Sequence, residues 1–163
     1  MESIVTENQL AAGQQFPDFS LPDQHGNLCT LADFAGEPVV FYFYPKDDTS
    51  GCTAEACDFR DRLPSFGNAK VVGVSPDSIK SHAKFATKYD LPFILLADTE
   101  KVLLESLGLW IEKSMYGKKY MGVDRTTILV SGDGTIVEVW RKVKVDGHAA
   151  EVLSSLNQLT AAR

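Results

Sequence analysis

The stretch that decides the fold is Val39-Val40-Phe41-Tyr42-Phe43-Tyr44, then Pro45-Lys46-Asp47-Asp48-Thr49-Ser50-Gly51, then Cys52-Thr53-Ala54-Glu55-Ala56-Cys57. The first six residues are β-branched or aromatic and apolar at every position, the pattern of a strand covered on both faces. Proline stops it, and a short polar loop follows. Thr49 or Ser50 then offers a side-chain oxygen suited to an N-cap. Cys52, Ala56, Phe59, Leu63 and Phe66 recur at i, i+4, i+7, i+11 and i+14, one stripe of a helix. A buried strand, a loop and a helix with a cysteine in its first turn make a layout that presents functional groups on a rigid frame.

At a helix start the first backbone N–H groups lack intrahelical partners and the macrodipole is positive, so thiolate is favoured over thiol at Cys52. Its place on the stripe turns it inward, toward a pocket rather than bulk water. Cys57 lies about 7.5 Å further along the axis and roughly 140° around it. A disulfide needs Cα atoms about 4.4–6.8 Å apart with converging Cβ vectors. Cys52 and Cys57 therefore cannot bond while the helix is wound, and a bond between them requires its first turns to unwind.

Outward from this centre, the chain reads as alternating elements. Residues 1 to about 15 are weakly patterned and expected to be loosely held, residues 1–12 above all. Residues 18–23 and 28–31 flank Gln24-His25-Gly26-Asn27 as a small hairpin, and 31–34 read as one helical turn. Downstream of the central helix (51 to about 66) come a strand at 70–75 and a helix from 78 to about 89, with Ile79, Ala83 and Ala86 inward. A strand at 93–96 and a short helix at 100–107 follow. Residues 110–124 read as an ordered excursion without regular structure. Two strands, 126–130 and 135–140, are joined by Ser131-Gly132-Asp133-Gly134, a hairpin signal. A last helix, 148 to about 159, turns Val152, Leu153, Leu156 and Leu159 to one side. This order predicts an α/β domain of the thioredoxin-like fold, a mixed central sheet flanked by helices with an N-terminal β-hairpin extension.

Composition narrows the function. The chain has 163 residues, 44% of them hydrophobic and 23% charged, with a net charge of −6. One domain of this size buries about two-thirds of its unfolded surface. The acidic balance argues against nucleic acid or an anionic membrane as partner, and no run approaches a transmembrane length. Met1-Glu2-Ser3-Ile4-Val5-Thr6-Glu7 lacks the basic and apolar regions of a signal peptide, so the expectation is a cytoplasmic protein whose three cysteines stay reduced.

The motifs then resemble those of the peroxiredoxins, specifically the peroxiredoxin Q (bacterioferritin comigratory protein) type. Pro45, Thr49 and Cys52 meet the pattern Pro-x-x-x-Thr-x-x-Cys. Gly73-Val74-Ser75 with Asp77-Ser78 is similar to the family's second strand end. Trp110, Glu112-Lys113, Tyr116-Gly117, Tyr120, Gly122 and Arg125 resemble the segment that delivers its arginine. The resemblance spans about residues 13–160 and implies that Cys52 is the peroxidatic cysteine and Cys57 the resolving one. It implies reduction of hydrogen peroxide and organic hydroperoxides, with the resulting disulfide recycled by thioredoxin. Thr49 is suited to hold its hydroxyl against the sulfur and the incoming peroxide, Arg125 to stabilise developing negative charge, and Pro45 to shape the loop and shield the sulfur. No cysteine follows Cys57, so an intramolecular disulfide and a monomer are the simpler expectation.

Plainer readings apply elsewhere. Cys29 reads as a core residue, the Lys46-Asp47-Asp48 charges as a solvated loop, and Trp110 and Trp140 as packing residues. Tyr44 is core, with possible reach to the substrate. His25, His82 and His148 are neither spaced for a metal nor paired with Cys52, and no cofactor is expected. A plant-type iron–sulfur centre needs a third cysteine two residues beyond Cys57, and a zinc site needs further ligands. Thiol–disulfide oxidoreductases use Cys-x-x-Cys rather than this spacing, which leaves that activity, or thiol-based redox sensing, as the alternative.

Overall fold

A computed structural model describes residues 10–161. The run 39–44 forms the central strand β3 (Val39–Phe43), buried at every position as its composition requires. It pairs in parallel with β4 (Lys70–Ser75), which pairs in parallel with β5 (Ile94–Ala97). On its other side β3 runs antiparallel to β8 (Thr126–Val130), and β8 antiparallel to β9 (Ile136–Arg141). The result is a five-stranded mixed sheet in the order β5-β4-β3-β8-β9.

Alternation along β3 builds two cores. Val39, Phe41 and Phe43 face a layer made by Phe16, Phe19, Leu21, Cys29 and Phe34, with Leu103, Leu104 and Leu107. These come largely from the hairpin β1 (Ser20–Pro22) and β2 (Leu28–Thr30), the 3-10 turn Leu31–Phe34 and the short helix α3 (Val102–Ser106). Val40, Tyr42 and Tyr44 face α1 (Ser50–Arg62), α2 (Ile79–Lys88) and α4 (His148–Ala161) through Ala56, Phe59, Phe85, Val152 and Leu156. Tyr42 stacks on Phe59 with ring centroids 4.9 Å apart. Gly73 makes this possible, since a Cβ there would come within 3.0 Å of the Tyr42 ring. The hairpin is fastened to the sheet by Gln24, whose side chain donates to Phe93 O and accepts from Leu95 N–H. Pro64 lacks the N–H that α-helical continuation would use, and the last turn, Leu63–Phe66, is 3-10.

Several sequence expectations need correction. Residues 1–9 lie outside the described residues, but 13–16 are not loose: Gly13 N–H donates to Ile136 O, Phe16 N–H to Gly134 O, and Gln15 bridges Thr135. Residues 110–124 are regular: β6 (Trp110–Met115) and β7 (Lys118–Val123) form an antiparallel hairpin. Its two turn residues, Tyr116 and Gly117, have φ of 53° and 79°, the twist-matching geometry of a type I′ connection. On α2 the fully buried residues are His82 and Phe85; Ala86 packs against the core as expected, whereas Ile79 is exposed, because the helix is rotated toward His82 and Phe85. Cys29 is buried in the core as expected, and burial pushes its thiol up.

Candidate functional site

The site forms where β3 ends and α1 begins. Thr49 is the N-cap by backbone geometry, with its carbonyl accepting from Thr53 N–H at 2.8 Å. Its hydroxyl makes no cap bond and donates instead to Lys46 O at 2.9 Å, inside the loop. Cys52 follows in the first turn, 1% exposed, with a free thiol group. Cys57, two turns into the same helix, is half-buried and also free. Pro45 is half-buried at the start of the loop.

Arg125 reaches the sulfur from a distant part of the chain. It stands between the hairpin strand β7 and the sheet strand β8, so two rigid elements fix its backbone. Its Nη2 donates to Cys52 Sγ at 3.0 Å and its Nη1 to Glu55 Oε1 at 2.7 Å. The planar guanidinium thus spans one helical turn of α1, from position 52 to position 55. Of the five candidate residues, Cys52 and Arg125 are in direct contact. The Thr49 hydroxyl turns to the loop rather than to the sulfur, and Cys57 stays on its own face of the wound helix.

Glu55 is the residue that sequence reasoning missed. Its side chain is 1% exposed, and burial pushes its carboxyl up to about 7 although Arg125 pulls it back. Among the described residues one oxygen, Oε2, has no hydrogen-bond partner. The signal was available, because position 55 is i+3 from Cys52 and a carboxylate on that inward face requires a partner cation.

The loop also departs from expectation. Asp47 is buried rather than solvated. Its Oδ1 accepts from the Tyr44 hydroxyl at 2.6 Å, and its Oδ2 lies 2.7 Å from both Ser81 Oγ and His82 Nδ1. Tyr44 is therefore fully engaged in the core. Lys46 and Asp48 keep the expected solvent exposure, Asp48 with φ of 57° and its carboxylate on Lys88 and Tyr89. Asp47, Asp77 and His82 bring ligand-type atoms within 4.8 Å of one another. Within this group His82 Nδ1 pairs with Asp47 Oδ2, while Asp77 Oδ2 accepts from Ser75 Oγ and from the Asp47 backbone N–H.

Comparison with known proteins agrees with this frame. The AhpC/TSA family matches residues 12–139. The putative peroxiredoxin bcp of Coxiella burnetii is 49% identical over 149 residues, covering 90% of this chain and 99% of that protein. Peroxiredoxin Bcp of Bacillus subtilis is 48% identical over 150 residues, covering 91% and 96%. A solved structure of the Xanthomonas campestris bacterioferritin comigratory protein, studied for its alkyl peroxide reduction activity, superposes with a TM-score of 0.82. It is 44% identical and covers 86% of this chain and 90% of that one.

Proposed function

Because the chain belongs to the AhpC/TSA family and is a peroxiredoxin of the Bcp type, a thiol peroxidase, we propose that Cys52 is its peroxidatic and Cys57 its resolving cysteine. The observation that carries this is the Arg125 Nη2–Cys52 Sγ contact of 3.0 Å, made across more than seventy residues of sequence. A charged donor at that distance favours an anionic sulfur and stands ready for charge on a neighbouring oxygen.

The Cys52 thiolate attacks the terminal oxygen of the peroxide. The S–O bond forms as the O–O bond breaks, and the leaving oxygen takes a proton to become water or an alcohol. Cys52 is left as a sulfenic acid. Arg125 stabilises the charge that builds on the oxygens. With its hydrogen committed to Lys46 O, the Thr49 oxygen keeps lone pairs free to accept from the peroxide O–H. Pro45 shapes the loop that carries Thr49.

Cys57 completes the cycle. Its sulfur attacks Cys52 Sγ, water leaves, and a disulfide forms once the first turns of α1 unwind. A dithiol then supplies two electrons and two protons to restore both thiols; thioredoxin is the reductant we assign. The substrates are hydrogen peroxide and organic hydroperoxides, the alkyl class following the Xanthomonas relative. Every group the cycle uses lies on one chain, which suits a monomer. Among the described residues no helix is long and apolar enough to cross a membrane, and a reducing cytoplasm would keep the cysteines available.

The test is peroxide-dependent oxidation of NADPH through thioredoxin reductase and thioredoxin. The wild-type chain sustains turnover, Cys52→Ser gives none, and Cys57→Ser consumes about one equivalent and stops. Sustained turnover by Cys52→Ser would contradict the assignment.

A further inference from the structure

His82 touches neither the sulfur nor Arg125, yet it is fully buried and both its ring nitrogens are committed. Nε2 lies 3.0 Å from Leu96 O on β5, a carbonyl that can only accept, so Nε2 carries a hydrogen. Nδ1 lies 2.7 Å from Asp47 Oδ2. The pair therefore holds two protons, one on Nε2 and one between Nδ1 and Oδ2. Asp47 also accepts from Tyr44 at the end of β3 and from Ser81 on α2. Its backbone N–H donates to Asp77 Oδ2 at 2.8 Å, and that oxygen is held by Ser75 Oγ at 2.6 Å. One loop residue is thus tied to β3, to the β4–α2 connection and to α2, and through His82 to β5.

The loop so fixed ends in Thr49, the N-cap of α1 and the residue that sets the first turn carrying Cys52. Arg125 arrives from an unrelated element. Alignment of sulfur and guanidinium thus depends on where the loop is held, and a shift of ~1 Å in such a site can cost about 10²-fold in rate. None of the anchors of Asp47 lies on α1. Unwinding of α1 therefore leaves the anchor intact.

We propose that His82 is a positioning residue for the peroxide step: with Asp47 it fixes Pro45–Thr49 against α2 and holds Cys52 in register with Arg125, while leaving α1 free to unwind. The inference rests on the roles given above to Cys52 and Cys57.

The experiment is rapid-quench mass spectrometry, counting free thiol, trapped sulfenic acid and disulfide in the wild type, His82→Leu, His82→Gln and Ser81→Ala. Both His82 variants are expected to oxidise at Cys52 about tenfold or more slowly, with the sulfenic-to-disulfide step within about twofold of wild type. Ser81→Ala, which removes one hydroxyl from Asp47, is expected to slow oxidation by about threefold. A pair with a merely structural role would lower the melting temperature and leave the oxidation rate within twofold; that result, or equal slowing of both steps, overturns the proposal. If His82→Leu does not fold, His82→Gln and Ser81→Ala decide by the same criterion. Failure of the wild type itself to oxidise at Cys52 would instead overturn the assignment of that cysteine, and this inference with it.

Discussion

Pro45–Thr49 and Ser50–Cys57 are adjacent in the chain and are held by different means. The loop is fastened at Asp47 by three side-chain contacts and a backbone bond to Asp77, and at Asp48 by Lys88 and Tyr89. The start of α1 has no side-chain cap bond and no acidic residue in its first turn, the two devices that commonly secure a helix N-terminus. It also buries the Glu55 carboxyl with one oxygen unpartnered among the described residues. In the cycle proposed above, the sulfur is held still for the peroxide step and the helix is released for the resolving step. For that proposed cycle, the contrast puts the expected hinge between Thr49 and Cys52.

The largest break in that contrast comes from Arg125→Ala. It removes the donor on Cys52 and leaves Glu55 buried without its cation, so kcat/KM for peroxide should fall by about 10²–10³, read by competition kinetics. Arg125→Lys keeps the charge but loses the fork and should recover only part of the loss.

Next is Thr49. Thr49→Ala should lower the peroxide step by about tenfold, and Thr49→Ser, which keeps the hydroxyl, should stay near wild type. Equal loss in both would show that the β-branched side chain, rather than the oxygen, matters.

Glu55 sharpens the comparison through pH. Its carboxyl titrates at about 7 in the wound helix, from an ordinary value of 4.5 that an unwound, solvated segment would restore. The folded value is raised, so acid favours the wound form, and this preference is lost as pH rises through the interval from about 4.5 to about 7. The disulfide-forming step should accelerate across that interval, and sulfinic acid made by excess peroxide should decline. Glu55→Gln should flatten both trends, measured by mass spectrometry against pH. A wild-type disulfide rate that is flat across the interval would remove Glu55 from the switch.

The smallest effect belongs to the surface end of the anchor. Lys88 and Asp48 are both substantially exposed, so Lys88→Ala should leave peroxide activity within about twofold and the melting temperature little changed.

Much of this was legible in the sequence, and the exceptions have physical reasons. The apolar run at 39–44 and the stripe from Cys52 to Phe66 could be read because their periods match what they bury. Arg125 could be placed by its motif. The β6–β7 hairpin was missed because its turn is Tyr116-Gly117 rather than the usual Asn-Gly or Asp-Gly, and its outer residues, Met115, Tyr120 and Met121, are exposed. Asp47 was misread for a different reason. A charged loop residue reads as solvated until the tertiary fold supplies a partner, and that partner lies 35 positions away in sequence. Local pattern carries period and propensity, not the pairing of buried polar groups across elements.

The most direct measurement is a free-thiol count on the reduced protein before and after one equivalent of hydrogen peroxide, with peptide mapping. The account predicts a fall from three thiols to one, with Cys29 free and Cys52 linked to Cys57 within a single chain. Survival of all three thiols would contradict the assignment of Cys52. Oxidation of Cys52 with Cys57 left free would contradict the unwinding of α1 as the route to resolution.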